Sequence, residues 1–424
     1  MAVNYEVSMP TRLFFPLVIA LSGLFSSPLQ ATDWSQWRGP KRDGFVSEST
    51  FPENLSAQSL TQVWKIPLGP GYSGPIISGD RVFVTETVDE KIEVVRALNR
   101  ATGKQIWKQE WPGALSVPFF AKANGDWIRA TPACDGERLY VASIRDVLVC
   151  LSADNGEILW RVDFVEKLKS PPPAFGFASS PLVVGDALYA QAGGGLCKLD
   201  KLTGEIKWRV LEDGGGMFGS AFSSPYYTTL NGVPQLIVQT RTTLTGVNPD
   251  DGAVLWKQDI PAFRGMNILT PTVFENSVFT SSYGGKSFLL TPGKSDEQTP
   301  PEETWTNKAQ GYMSSPLIID GSIYLHLRNQ RFTCIDLKTG ETRWTTTPYG
   351  KYWSMVTDGN KILALDQTGD LLLIKANPEK FELLDQRKIA EDSWAHIAVS
   401  GNELFIRALD HLAVYRWNTS DTEN

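Results

Sequence analysis

Eight residues precede recurring strand starts and are the side chains best placed by type to do chemistry: Tyr72, Arg129, Phe177, Phe222, Asn267, Tyr312, Trp353 and Trp394. A second set of connections carries Arg145, Arg241, Tyr283, Lys286, Arg328, Asp366 and Arg407. Gathered around one opening, such aromatic faces and cations would hold a flat or anionic ligand by stacking and charge. The alternative is that they plug the opening and pair with nearby carboxylates. Other chemistry is thinly supplied. His326, His396 and His411 are the only histidines, and no Ser/His/Asp set can be assembled from spacing. His396 and His411 fall in one unit but offer too few ligands for zinc, so no metal site is predicted. The runs Gly193–Gly195 and Gly214–Gly216 lack the Lys-Ser/Thr of a phosphate loop and are predicted to be turns.

The elements that must position these residues form a repeat. Gly, three residues, then Trp recurs at Gly103/Trp107, Gly156/Trp160, Gly204/Trp208, Gly252/Trp256 and Gly340/Trp344. The Gly supplies the left-handed backbone of a tight hairpin, and the Trp follows at a fixed distance along the next strand. Upstream of each turn stands a Ser/Thr/Gly-Pro step: Gly74-Pro75, Thr131-Pro132, Ser180-Pro181, Ser224-Pro225, Thr270-Pro271 and Ser315-Pro316. Each unit reads as four strands, A to D, joined by hairpins. Trp64, Trp107, Trp160, Trp208, Trp256, Trp305 and Trp344 are spaced 39 to 53 residues apart, the period of a β-propeller blade. Two later units keep the strand-turn pattern without the Pro and Trp. The last has three candidate strands, and residues 62–66 form an outer strand with no unit before it. The prediction is therefore an all-β, eight-bladed propeller of four-stranded antiparallel blades over residues 61–417, its ring closed by the first strand. Seven blades is the competing count. The seven Trp residues are expected to fill the wedges between blades, at about 3–5 kcal/mol each on truncation to Ala.

Within a blade, strand direction alternates, so the A–B and C–D turns share one face and the B–C and D–A connections the other. The second set is long, and it is where binding is expected. The 424 residues carry 40 basic and 47 acidic side chains, a net charge of −7 that disfavours a nucleic-acid partner. The apolar run Leu13–Phe25 after Arg12 reads as a secretory signal over residues 1–31, too short for a comfortable span. No Cys follows it as a lipidation site. Residues 32–60 are expected to pack on the ring, and 418–424 form a tail. The expected address is periplasmic or extracellular, and the expected state is a monomer without a transmembrane span. Cys134, Cys150, Cys197 and Cys334 show no spacing that suggests a disulfide and are predicted to be free and mostly buried.

The Gly-x3-Trp turns, Ser-Pro steps and closing strand resemble the PQQ-like (pyrroloquinoline-quinone-type) repeat propellers. The opening Asp33-Trp34-Ser35-Gln36-Trp37-Arg38-Gly39-Pro40, with Arg42-Asp43-Gly44, resembles the N-terminal signature of an exported bacterial branch. The resemblance implies two functions. One is a non-catalytic scaffold like the outer-membrane assembly propeller of the BAM complex, binding an envelope protein or polymer by its long-loop face. The other is a quinoprotein oxidoreductase holding PQQ and calcium in the channel. The chain lacks the adjacent Cys pair of many quinoproteins, the Cys-x-x-Cys-His of a haem domain and the lipidated Cys of the BAM protein. No calcium-binding trio matches. A hydrolase or lyase site in the funnel is the third reading.

Overall fold

The structure, a computed structural model, describes residues 1–3, 33–47, 49–219, 221–293 and 299–418. The chain divides into two compact units, Met1–Ala31 and Thr32–Asn424. The expected signal segment lies, from residue 4 onward, outside the described residues, as does the tail from residue 419. Among the described residues no helix is long and apolar enough to cross a membrane.

The second unit is built of eight four-stranded antiparallel sheets. In blade 1 the strands Ile76–Ser78, Arg81–Val88, Ile92–Asn99 and Gln105–Pro112 pair in chain order, from A innermost to D outermost. Blades 2 to 7 repeat this order over residues 133–163, 182–210, 226–259, 272–307, 317–345 and 354–388. Strands B and C are near-continuous apolar runs because a neighbouring blade covers each face, as in Val147–Ser152, where all but the last residue are buried. Outer strands meet water and alternate, as in Leu383–Lys388. The innermost strands of blades 1 and 2, 2 and 3, 5 and 6, 6 and 7, and 8 and 1 touch, the last of these pairs closing the ring. Blade 8 contributes Ala398–Ser400, Glu403–Arg407 and His411–Trp417, and its outer strand is Leu60–Pro67. The register runs from Leu60 opposite Trp417 to Pro67 opposite His411. Eight blades, closed by the first strand, is thus the count, and the closing strand brings blade 8 to the four strands of the others.

The Gly-x3-Trp motif is two halves of a contact between blades. Trp64 of the closing strand lies over the C–D turn of blade 1, where a Cβ on Gly103 would come within 2.8 Å of the indole. Its Nε1–H donates to Arg100 O at 2.8 Å. Trp107 on Gly156, Trp160 on Gly204, Trp208 on Gly252 and Trp305 on Gly340 repeat the contact one blade further on. Their indoles donate to carbonyls of the turn they cover, at Ala153, Lys201, Asp250 and Leu337. Trp344 likewise donates to Asn377 O in blade 7. Trp256 differs: its Nε1–H turns inward to Gln235 Oε1 at 2.6 Å, within its own blade. In each of these blades the residue opposite the Trp is followed by a register shift, as at Ala97/Leu98 and Cys150/Leu151. The bulge adds local twist to the strand beside the Trp.

Residues 33–46 run across the A–B turn face. Trp34 bridges Ile77 of blade 1, and Ser35 O accepts from Cys134 N of blade 2. Arg42 donates to Ser180 O and Pro181 O of blade 3, Arg38 to Pro316 O of blade 6, and Phe45 bridges Thr357 of blade 7. Phe51 and Leu55 then join the apolar core shared by blades 7, 8 and 1. All four cysteines are free and buried.

Candidate functional site

The channel opens on the long-loop face as a cavity of about 340 Å³. Its lining follows a sequence phase. Counting back from each Pro, the third residue lines it: Tyr72, Arg129, Ala178, Phe222, Ile268 and Met313. So does the residue directly before the Pro in five blades: Thr131, Ser180, Ser224, Thr270 and Ser315. Blade 8, without a Pro, supplies Trp394 and His396 in the same phase. Extended backbone shows alternate side chains to one side, which makes this period two.

Of the collar residues singled out from sequence, Tyr72, Arg129, Phe222, Tyr312 and Trp394 line the cavity. Phe177 and Asn267 stand one residue out of phase and are buried in the blades: Phe177 packs on Phe164, and Asn267 Nδ2 donates to Arg241 O and Ile260 O. Trp353 is buried and stacks on His326 at 4.7 Å. Its neighbour Tyr352 takes the collar position instead, 4.6 Å from Trp394 and 5.9 Å from Tyr312. Lys286 is part-exposed, over Phe288 and beside Glu303. Arg145 and Arg328 are exposed, with Arg328 over the Tyr283 ring, whereas Asp366 and Arg407 are buried.

The rings form a girdle. Tyr283, Tyr312, Tyr352, Trp394, Tyr72 and Trp127 follow one another at centroid separations of 4.6–5.9 Å. Phe119, Phe120, Phe175 and Phe222 form a second string at 5.5–6.2 Å. Arg241 sits over Phe222 at 4.6 Å. Its guanidinium donates to Met217 O, Gly219 O, Arg264 O and Gly265 O. It thereby pins the two loops that present Phe218 and Phe263 to solvent.

Below the girdle the Ser/Thr hydroxyls latch one blade to the next. Gly74 N donates to Thr131 Oγ1, Thr131 N to Ser180 Oγ, Ser180 N to Ser224 Oγ and Ser224 N to Thr270 Oγ1, at 2.9–3.1 Å. Trp37 lines the inner end. The Arg38 and Arg42 guanidiniums lie 5.6 and 5.4 Å from its ring, and His396 meets it edge-on at 5.0 Å. Burial lowers Arg38 to about 10 and Arg42 to about 9, so both stay cationic at neutral pH. Burial lowers His396 to about 3, leaving it neutral. Arg129 is lowered by desolvation to about 10 and is also charged.

A family model described as "Outer membrane protein assembly factor BamB" matches residues 91–346. The chain belongs to this family. It is 23% identical over 390 residues to outer membrane protein assembly factor BamB of Moranella endobia, covering 87% of this chain and 93% of that one. With BamB of Yersinia pestis it shares 21% over 340 residues, 78% of this chain and 72% of the other. Among solved structures it is similar to BamB from Moraxella catarrhalis, with a TM-score of 0.61 at 16% identity over 85% of this chain and 98% of that one. A europium-containing methanol dehydrogenase gives 0.65 at 11% identity over 91% and 98%. At such identities the structural likeness carries the fold alone.

Proposed function

We propose that this protein is an exported, non-catalytic scaffold that binds a protein partner in outer-membrane assembly through its long-loop face. The observation that carries the reading is the exposed apolar rim. Phe119, Phe120, Phe218 and Phe263 are 87%, 58%, 73% and 52% exposed, all on D–A loops around the cavity mouth. Exposed aromatics grouped on loops, here with Arg241 holding those of Phe218 and Phe263, are the usual anchors of a protein interface. The assembly-factor relatives agree with this choice of partner.

The enzyme readings have less support. Among the described residues no Asp or Glu lines the cavity, and no three His, Cys, Asp or Glu side chains converge on a cation site. Calcium asks for six to eight oxygens, carboxylates among them, so the residues present do not fit a calcium-bound quinone. His396 Nδ1 stands 3.3 Å from Ser354 Oγ, but burial lowers the imidazole to about 3, too weak a base to activate that hydroxyl at neutral pH.

Photo-crosslinking residues placed at Phe119, Phe218 and Phe263 of the exported chain test the proposal. They are expected to capture one common protein of the outer-membrane assembly machinery. A crosslinker at Asp186, on the A–B turn face, is expected not to. Equal capture from both faces, or none from the rim, would overturn the reading.

A further inference from the structure

We propose that the blind central cavity binds a small organic anion, one with a single anionic head and an apolar body. This site meets the rim only at Phe120 and does not depend on the partner. Four observations point to it. Trp37 and the crossing segment close the inner end, so the cavity is a cup and not a pore. Its upper walls are Tyr72, Phe120, Phe175, Phe222, Tyr312 and Trp394, surfaces for an apolar or aromatic body.

The polar groups of the lower part are mainly donors. Thr131, Ser180, Ser224 and Thr270 each accept a backbone N–H through their hydroxyl oxygen. None of the four hydroxyls donates to a protein atom among the described residues, so their hydrogens remain for a ligand acceptor. Arg129 spends Nε on Trp127 O and Nη2 on Gly125 O. Its Nη1 has no partner among the described residues, and Asp126, the nearest acid that bears on it, makes no ion pair with it.

Charge settles the sign. Among the described residues the lining holds Arg129 but no carboxylate, with Arg38 and Arg42 behind Trp37; Asp392 bears on Tyr72 and Asp43 on Arg38 from behind it. Cations in so enclosed a site are weakly screened, and an anion entering the cup compensates them. A dication or a neutral sugar has no such complement here. With one cation reaching the lining, the cup suits one anionic group, such as a carboxylate or sulfonate, with the apolar remainder among the rings.

The test uses the purified chain and two fluorescent probes of similar shape, 8-anilinonaphthalene-1-sulfonate and the neutral N-phenyl-1-naphthylamine. The sulfonate is expected to bind at one site, at least about tenfold tighter than the neutral probe, a preference worth one charge-assisted contact. Arg129→Gln should erase that preference and leave the neutral probe unchanged, and Arg129→Lys should restore part of it. Ala178→Trp, which fills the cup from blade 3, should abolish both and covers the case in which the Arg129 variants do not fold. Phe218→Ser, on the rim, should change neither. Equal affinity for the two probes, an unchanged sulfonate affinity in Arg129→Gln, or loss of binding in Phe218→Ser alone would overturn the proposal.

Discussion

Gly204 and Gly321 have nearly the same backbone, φ +72° and +71°, yet different surroundings. A Cβ on Gly204 would lie 2.7 Å from Cε3 and 2.9 Å from Cδ2 of Trp160, and 3.0 Å from Val162 Cγ2. A Cβ on Gly321 would meet nothing within 4 Å. Replacing either by Ala places an L side chain in the left-handed region, at about 1–2 kcal/mol. The loss of unfolded-chain entropy is common to both and cancels in the comparison. Only Gly204→Ala must also displace the indole, which is held by its bond to Lys201 O, and overpacking of that kind adds about 1–3 kcal/mol. The expectation is about 1–2 kcal/mol for Gly321→Ala and about 2–5 kcal/mol for Gly204→Ala. Urea unfolding followed by tryptophan fluorescence and far-ultraviolet circular dichroism reads both, provided the two signals change together. Trp160→Ala supplies the control, since the excess of Gly204→Ala over Gly321→Ala should vanish in that background. Equal costs for the two substitutions, or an excess that survives without the indole, would refute the inter-blade role given to the motif.

The remaining predictions concern buried titratable groups. Burial pushes the Asp146 carboxyl up to about 7, although it accepts from Gly193 N at 2.8 Å. The unfolded group titrates near 4, so between about 4 and 7 the folded chain binds more protons and this residue's contribution falls as pH rises. Asp146→Asn should therefore raise stability at pH 8 by on the order of a few kcal/mol and change little at pH 4, by urea midpoints; a larger gain at pH 4 would reverse the assignment. Desolvation raises Cys134 and Cys334 to about 11 and Cys150 and Cys197 to about 12. A thiol-disulfide reagent at pH 8 should label none of the four until denaturant is added, and rapid labelling of the native chain would contradict their burial.

The ring was legible because its marks are local. A turn Gly and a Trp four residues later can be counted along the chain, and the closing strand followed from an unmatched first strand and an incomplete last unit. The cavity was half legible. Tyr72, Arg129 and Phe222 were found because a conspicuous side chain sits in the lining phase. Phe177, Asn267 and Trp353 are equally conspicuous but fall in the opposite phase, and a shift of one residue turns an extended side chain to the other side. Strict counting back from the Pro would have pointed to Ala178, Ile268 and Met313. The Ser/Thr latches had no such signal, because each hydroxyl meets its N–H partner 44 to 57 residues away. Trp37 was visible as an aromatic of the leading segment, but its place under the channel depends on contacts with blades on opposite sides of the ring.

Pairing Leu60 with Trp417 brings the two ends of the propeller side by side. A short tether between them and a cut at any A–B hairpin would give a circular permutant with the same sheets in the same order. Apart from the strap of residues 33–59, the architecture thus has no privileged starting point. Only the strap tells the blades apart, since Trp34, Ser35, Arg42, Arg38 and Phe45 each single out a different one.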